Sequence, residues 1–289
     1  MEKTMPDVNK IWENLTIADN FIFQKVMRKK RLCKRFIEKI LHVKVQKIMF
    51  PETEKDIHIR RDSKSVRLDV YVEDDKGTLY DIEMQTTDYA DPAELPKRTR
   101  YYQAMMDMDV LNKGEFYTKL RKTYIIFICT FDPFDRNLSQ YTFHETCAED
   151  ATLEMGDETT KIFLSSKGRR EGIDSDLAAF LDYIEGKAPK GKFTETIADA
   201  VEVAKENKEM KVEYMTYYME LRRSEERGME KGMEKGRMEG RKEGRMEGRM
   251  EGRMEALKSL VVSKLLSLKD AAAAAGMSED AFKKVADLR

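Results

Sequence analysis

Two runs near the first third of the chain, VRLDVYV (Val66–Val72) and TLYDIEMQ (Thr78–Gln85), alternate in character on either side of the polar turn EDDKG. Period-two alternation across a short polar turn predicts a β-hairpin. Strand side chains point to alternate faces, so Arg67, Asp69 and Tyr71 share one side, and Asp81, Glu83 and Gln85 share one side of the second strand. If Val72 pairs with Thr78, Asp69 faces Asp81 and lies diagonal to Glu83. If Val72 pairs with Tyr80, Asp69 opposes Glu83 directly. In both registers the carboxylates come within roughly 5–8 Å on one face. A slip of one residue would turn Glu83 into the apolar face of Leu68 and Val70, which the cost of burying a charge opposes.

Carboxylates held close on a rigid hairpin repel one another unless a cation lies between them. Mg²⁺ or Mn²⁺ needs only one or two such ligands beside water and phosphate oxygens, and it acidifies a bound water. The plain alternative is an exposed hairpin with an acidic outer face.

The flanking segments carry cations. A helix predicted after Asp19-Asn20 places Phe23, Val26, Met27, Cys33, Phe36, Ile37, Ile40 and Leu41 at helical spacing, with a break near Lys29–Arg31. Between Lys25 and Lys47 there are ten Lys or Arg residues against one acid, Glu38. The whole chain has 53 Lys+Arg and 54 Asp+Glu, so a polyanion would be met by a local patch and not by a global field. Lys29, Lys30 and Arg31 are the candidate phosphate contacts; a solvated helix face is the other reading. After the hairpin, ELPKRTRYYQAMMDMDVL reads as a helix in which Arg98 and Tyr102 are one turn apart. TYIIFICTF (Thr123–Phe131) is an unbroken apolar run suited to a strand buried on both faces. Shorter strands at Gln140–Phe143 and Lys161–Leu164 precede helices near 175–186 and 194–226.

These pieces, DNFIFQKV with FIEKIL, RLDVYVEDDKGTLYDIEMQ, RTRYYQAMMD and YIIFICTF, together resemble the Rpn family of putative transposases and recombination-promoting nucleases, within the PD-(D/E)XK superfamily. The resemblance covers about Asp19 to Phe143. It implies an α/β restriction-endonuclease-like core, a mixed central sheet flanked by helices, with a helical C-terminal extension. It also implies metal binding by Asp69, Glu83 and the main-chain carbonyl of Met84, with Mg²⁺ or Mn²⁺ as cofactor and DNA as partner. Gln85 stands where the superfamily usually has Lys; it can orient the attacking water but adds no charge. Leu68 replaces the usual proline before Asp69. Glu38 is the candidate for the acid contributed by the first helix, and Arg98 with Tyr102 for contact with DNA.

From Gly228 to Glu255 the sequence becomes a tetrapeptide repeat with seven glycines, one every four residues. Each glycine costs about 1 kcal/mol in a helix relative to alanine, so an isolated helix is marginal. The segment reads as a poorly ordered or self-associating linker. The expected divisions are a nuclease domain over 1–190, a helical extension over 191–227, the repeat over 228–255 and a small helical tail over 256–289. The tail reads as a plain helical hairpin around Gly276-Met277-Ser278, with a helix-turn-helix as the other reading. Three unpaired cysteines, no apolar signal core and no membrane-length apolar stretch suit a cytoplasmic protein. Two functions follow: a metal-dependent DNA endonuclease linked to recombination or a mobile element, or a catalytically decayed DNA- or protein-binding module that oligomerises through the repeat.

Overall fold

The computed structural model of the chain describes residues 8–50, 56–57 and 66–287. It divides into two compact units, Met1–Met215 and Thr216–Arg289. In chain order the elements are α1 (Val8–Glu13), α2 (Asn20–Met27), α3 (Lys30–Leu41), β1 (Ile48–Met49), β2 (Asp56–Ile57), β3 (Val66–Arg67), β4 (Val70–Asp74) and β5 (Leu79–Gln85). There follow α4 (Glu94–Val110), β6 (Thr123–Cys129), β7 (Gln140–Phe143), β8 (Thr159–Ser165), α5 (Ser175–Ile184), α6 (Gly191–Glu206), α7 (Lys208–Val262), α8 (Leu268–Ala275) and α9 (Glu279–Val285).

Six strands form one mixed sheet in the order β1-β4-β5-β6-β8-β7. The β5–β6 and β6–β8 pairs are parallel, and the remaining pairs are antiparallel. The apolar run of β6 takes the interior place expected of a strand buried on both faces. On one sheet face, Leu79, Ile125, Phe127, Cys129 and Phe163 pack with Leu95, Tyr102, Met105 and Met106 of α4. Strand alternation turns Ile82, Ile126 and Ile128 to the opposite face, and all three are buried. α2 packs on β5, and α6 packs with α2 and α5.

The hairpin takes the register in which Val72 pairs with Tyr80 and Val70 with Ile82, so Asp69 is opposite Glu83. Two details differ from the expected hairpin. The chain leaves strand geometry at Leu68 and Asp69: β3 pairs with β2 in a separate two-stranded sheet, and β4 begins only at Val70. Leu68 therefore packs with Tyr71 on the α4 side, although strict alternation separates them. The acid-bearing face is also not an outer face. Every residue of β5 is buried, because β4 and β6 flank the strand and α4 lies across it.

The first unit runs past residue 190. Phe193, Ile197, Ala200, Val201 and Ala204 form the buried stripe of α6, and Trp12 Nε1 donates to the Lys205 carbonyl at 3.0 Å. Tyr214 closes this layer, with its ring 5.4 Å from Trp12 and 5.3 Å from Phe21. The helix expected over 194–226 is interrupted at Asn207.

In the second unit the glycine repeat is helical, not poorly ordered, and lies within α7. Three of every four repeat residues are Met, Arg, Lys or Glu, good helix formers that offset the glycines. The tail is more than a hairpin. Met254, Leu257 and Val261 from the end of α7 pack against Ala271, Ala272, Phe282 and Ala286, so a third helix completes a small core. No helix among the described residues is long and apolar enough to cross a membrane.

Candidate active site

The break at Leu68–Asp69 frees the Asp69 backbone from strand pairing and aims it at Glu83. The Asp69 amide donates to Glu83 Oε1 at 2.8 Å, and the Met84 amide donates to Asp69 Oδ2 at 3.3 Å. A strand residue sends its N–H and C=O to the same edge, so the Met84 carbonyl also faces Asp69, beyond the end of β4. Two acids and a carbonyl thus meet at one sheet position.

Arg98 reaches this position from α4. Its Nη2 lies 2.8 Å from Glu83 Oε2, its Nη1 2.8 Å from Gln85 Oε1, and its Nε 2.8 Å from the Tyr102 hydroxyl. The Tyr89 hydroxyl adds a longer hydrogen bond at 3.3 Å. The guanidinium stacks over Tyr102 and Phe127, with ring centroids 4.9 and 5.2 Å away. The helical spacing of Arg98 and Tyr102 is therefore used to hold the Arg, while Tyr102 itself is buried and offers no surface to DNA. Gln85 has both ends of its amide engaged, since Nε2 donates to the Thr87 carbonyl at 2.5 Å. In this arrangement its Oε1 helps to position Arg98.

Burial sets the electrostatics. Glu83 is 1% exposed and its carboxyl is held well above the usual range, first by desolvation and then by the charges of Asp81 and Asp69. Burial acts most strongly against the Arg98 charge, but the Glu83 carboxylate together with the Tyr102 and Tyr89 hydroxyls outweighs it and holds the guanidinium protonated.

Two residues at the centre were missed as site residues by sequence reasoning. Gln24, on α2, donates from Nε2 to Asp69 Oδ1 at 2.9 Å. The signal for it was a lone amide within the apolar run FIFQKVM. Asp81 was placed on the right strand face but given no role. It is fully buried, and no hydrogen-bond donor reaches either of its oxygens. Burial first, then the charge of Asp69, raises its pKa well above the usual value. Each acid of the buried pair Asp81 and Glu83 therefore binds a proton more tightly than a solvated carboxyl does.

Glu38 is not at the site. α3 is a separate helix after the break at Arg28–Lys29, and Glu38 Oε1 instead accepts from the Val45 amide at 3.0 Å, closing the link to β1. The element that reaches Asp69 is α2. Lys29, Lys30 and Arg31 lie exposed where α3 begins.

The donor set suits a hard divalent cation. Such an ion takes oxygen ligands and needs only one or two carboxylates; Asp69, Glu83 and the Met84 carbonyl fit in kind and number. Among the described residues, no group of three or more His, Cys, Asp or Glu side chains is placed to hold a metal. The four oxygens of Asp69 and Glu83 are each met by an N–H group: Gln24, Met84, the Asp69 amide and Arg98.

A mixed sheet flanked by helices, with opposed acids on its hairpin, defines a restriction-endonuclease-like α/β domain. The chain belongs to the PD-(D/E)XK nuclease family transposases, whose family model matches residues 20–237. Neither the curated proteins nor the solved structures give a significant match.

Proposed function

We propose that this protein is a divalent-cation-dependent endonuclease that hydrolyses DNA in recombination or in the movement of a mobile element. The observation that carries this reading is Asp69 directly opposite Glu83, with the Met84 carbonyl on the same edge and Arg98 bonded to Glu83. Asp69, Glu83 and Met84 would hold Mg²⁺ or Mn²⁺, which when bound would acidify a water and neutralise charge on the phosphorane. Gln24 and the Met84 amide fix the rotamer of Asp69. Tyr102, Tyr89 and Gln85 hold the Arg98 fork beside the reacting position, where a guanidinium can meet phosphate oxygens. The exposed Lys29, Lys30 and Arg31 supply contacts to the phosphate backbone. A reducing, cytoplasmic setting suits the thiols of Cys33 and Cys129, which burial pushes up to about 12.

Nicking of supercoiled plasmid in Mg²⁺ or Mn²⁺, compared between wild type and Asp69→Asn, tests the reading. Cutting by the wild type alone supports it. Equal cutting by both, or none by the wild type with either ion, overturns it.

The engagement of all four carboxylate oxygens by N–H groups favours a second reading. In that reading the core binds DNA or a protein without cutting, and copies associate through the exposed repeat of α7. Such a protein retards DNA in a gel with or without a divalent ion.

A further inference from the structure

The most exposed aromatic side chains among the described residues lie outside the site. Phe116 and Tyr117 are adjacent and are 81% and 82% exposed; the next aromatics, Phe143 and Tyr101, are 43% and 36% exposed. Large apolar side chains left in water beside one another mark an interaction surface.

Their loop is built to present them. Gly114 takes a φ of +91°, which turns the chain after α4. The Asn112 amide and side chain both donate to Glu115 Oε2, at 2.7 and 3.1 Å. The Glu115 amide bonds back to the Asn112 carbonyl at 3.1 Å, and Lys119 and Leu120 amides bond to the Phe116 and Tyr117 carbonyls, each at 2.9 Å. The two rings therefore project from a hydrogen-bonded turn and not from a slack connection.

The chemistry around them is cationic. Residues 112–122 carry Lys113, Lys119, Arg121 and Lys122 against one acid, Glu115, in a chain of net charge −1. All four cations are exposed. Arg121 also pairs with Glu73 at 2.8 Å, and Lys122 lies 5.5 Å over the Tyr124 ring. The turn leads into β6, whose first residue pairs with Leu79. Glu83 is four residues further along β5, about 13 Å at strand rise.

We infer that Phe116 and Tyr117, with Lys113 and Lys119, form a stacking platform for unpaired bases of a single-stranded polynucleotide. Exposed rings beside cations match a chain of flat bases on a phosphate backbone, because every base offers a π-face and every linkage a negative charge. A protein partner would use the rings but leave the cations without a matching charge. This inference deepens the nucleic-acid reading of the chain by naming the strand form engaged, and binding rather than cleavage is what tests it.

The experiment measures fluorescence anisotropy of a labelled oligodeoxythymidylate, and of the same oligomer annealed to oligodeoxyadenylate, in EDTA over a salt series. Plasmid nicking by the wild type, read separately, reports on the nuclease assignment and does not depend on this result. Phe116→Ser with Tyr117→Ser should weaken binding of the single strand by about tenfold or more, and of the duplex by much less. Phe116→Trp with Tyr117→Trp should retain it. Lys113→Gln with Lys119→Gln should flatten the salt slope by about 0.7 for each phosphate that the variant no longer neutralises. Unchanged single-strand affinity in the serine variant overturns the inference, as does an equal loss on the duplex. So does a concentration-dependent dimer that the serine variant abolishes while single-strand binding persists, because the rings would then belong to an interface between copies.

Discussion

Arg98 Nη2 sits 2.8 Å from Glu83 Oε2, so a guanidinium is the counter-charge of this buried carboxylate. Glu83 is buried and Arg98 is three-quarters buried, which makes each dependent on the other. An unpaired charge at this depth is far costlier than a surface one.

Replacing Arg98 by Met should expose that dependence. In the absence of divalent ions the variant should lose about 1–3 kcal/mol of stability, below the full cost for a deeply buried pair because the Arg is partly solvated. Adding Mn²⁺ should recover more stability in the variant than in the wild type. Urea midpoints with and without Mn²⁺ check this; equal recovery would mean that the ion does not take over the role of Arg98.

The acid pair predicts a pH dependence whose sign follows from its raised pKa values. Asp81 and Glu83 bind protons more tightly in the folded chain than in the unfolded one. Their contribution to stability is full below the unfolded carboxyl range, about 4, and is lost as pH rises through the raised folded values. Without divalent ions the protein should be less stable at pH 8 than at pH 5. Asp81→Asn should flatten that slope and raise stability at pH 8 by about 1–3 kcal/mol, because it removes a buried carboxylate with no donor. A slope that Asp81→Asn leaves intact would assign it to other groups.

Gln24 and Glu38 separate the two possible contributions from the N-terminal helices. Gln24→Ala should weaken Mn²⁺ binding about 10–100-fold, the usual cost of losing a residue that orients a ligand. Glu38→Ala should leave Mn²⁺ binding unchanged and cost about 0.5–1.5 kcal/mol of stability through the Val45 amide. Calorimetric titration with Mn²⁺ distinguishes them, and the reverse pattern would restore Glu38 to the site.

Glu83→Gln and Asp69→Asn should each reduce plasmid nicking by more than about 100-fold, exceeding the loss expected of an orienting residue. The isosteric changes are preferred because Glu83→Ala would leave Arg98 facing an empty buried space. Nicking within tenfold of wild type for either would remove that acid from the catalytic centre.

Gly168 offers a test of the scaffold away from the chemistry. A Cβ there would lie 2.2 Å from the Leu138 carbonyl carbon and oxygen and 2.3 Å from the Ser139 amide nitrogen, all backbone atoms that cannot swing aside. Gly168→Ala should cost about 1–3 kcal/mol or more, seen as a lowered thermal midpoint. A midpoint equal to wild type would mean the two segments can separate at little cost.

The pattern of residues along the chain was enough to determine the hairpin, the buried strand at β6, the helix that carries Arg98, and the opposition of Asp69 and Glu83 in one of two registers. Each of these rests on local periodicity, and a period of two or of 3.6 is written in the residues themselves. The C-terminal repeat was equally visible, though its helical state was not, since weak glycine propensities compete with three good helix formers in every four residues.

Tertiary structure decided everything that depends on what lies opposite a side chain. Alternation placed Asp81, Glu83 and Gln85 on one face but could not say that α4 covers it, and that cover turns solvent-facing acids into a buried pair with raised pKa values. Local sequence gave Glu38 and Gln24 no distinction, because the packing of α2 on β5 is a long-range contact. Arg98 looked like a surface arm one turn from a tyrosine. Only the approach of α4 to β5 made it the counter-ion of Glu83, because electrostatic strength depends on burial and distance, which a linear sequence does not contain.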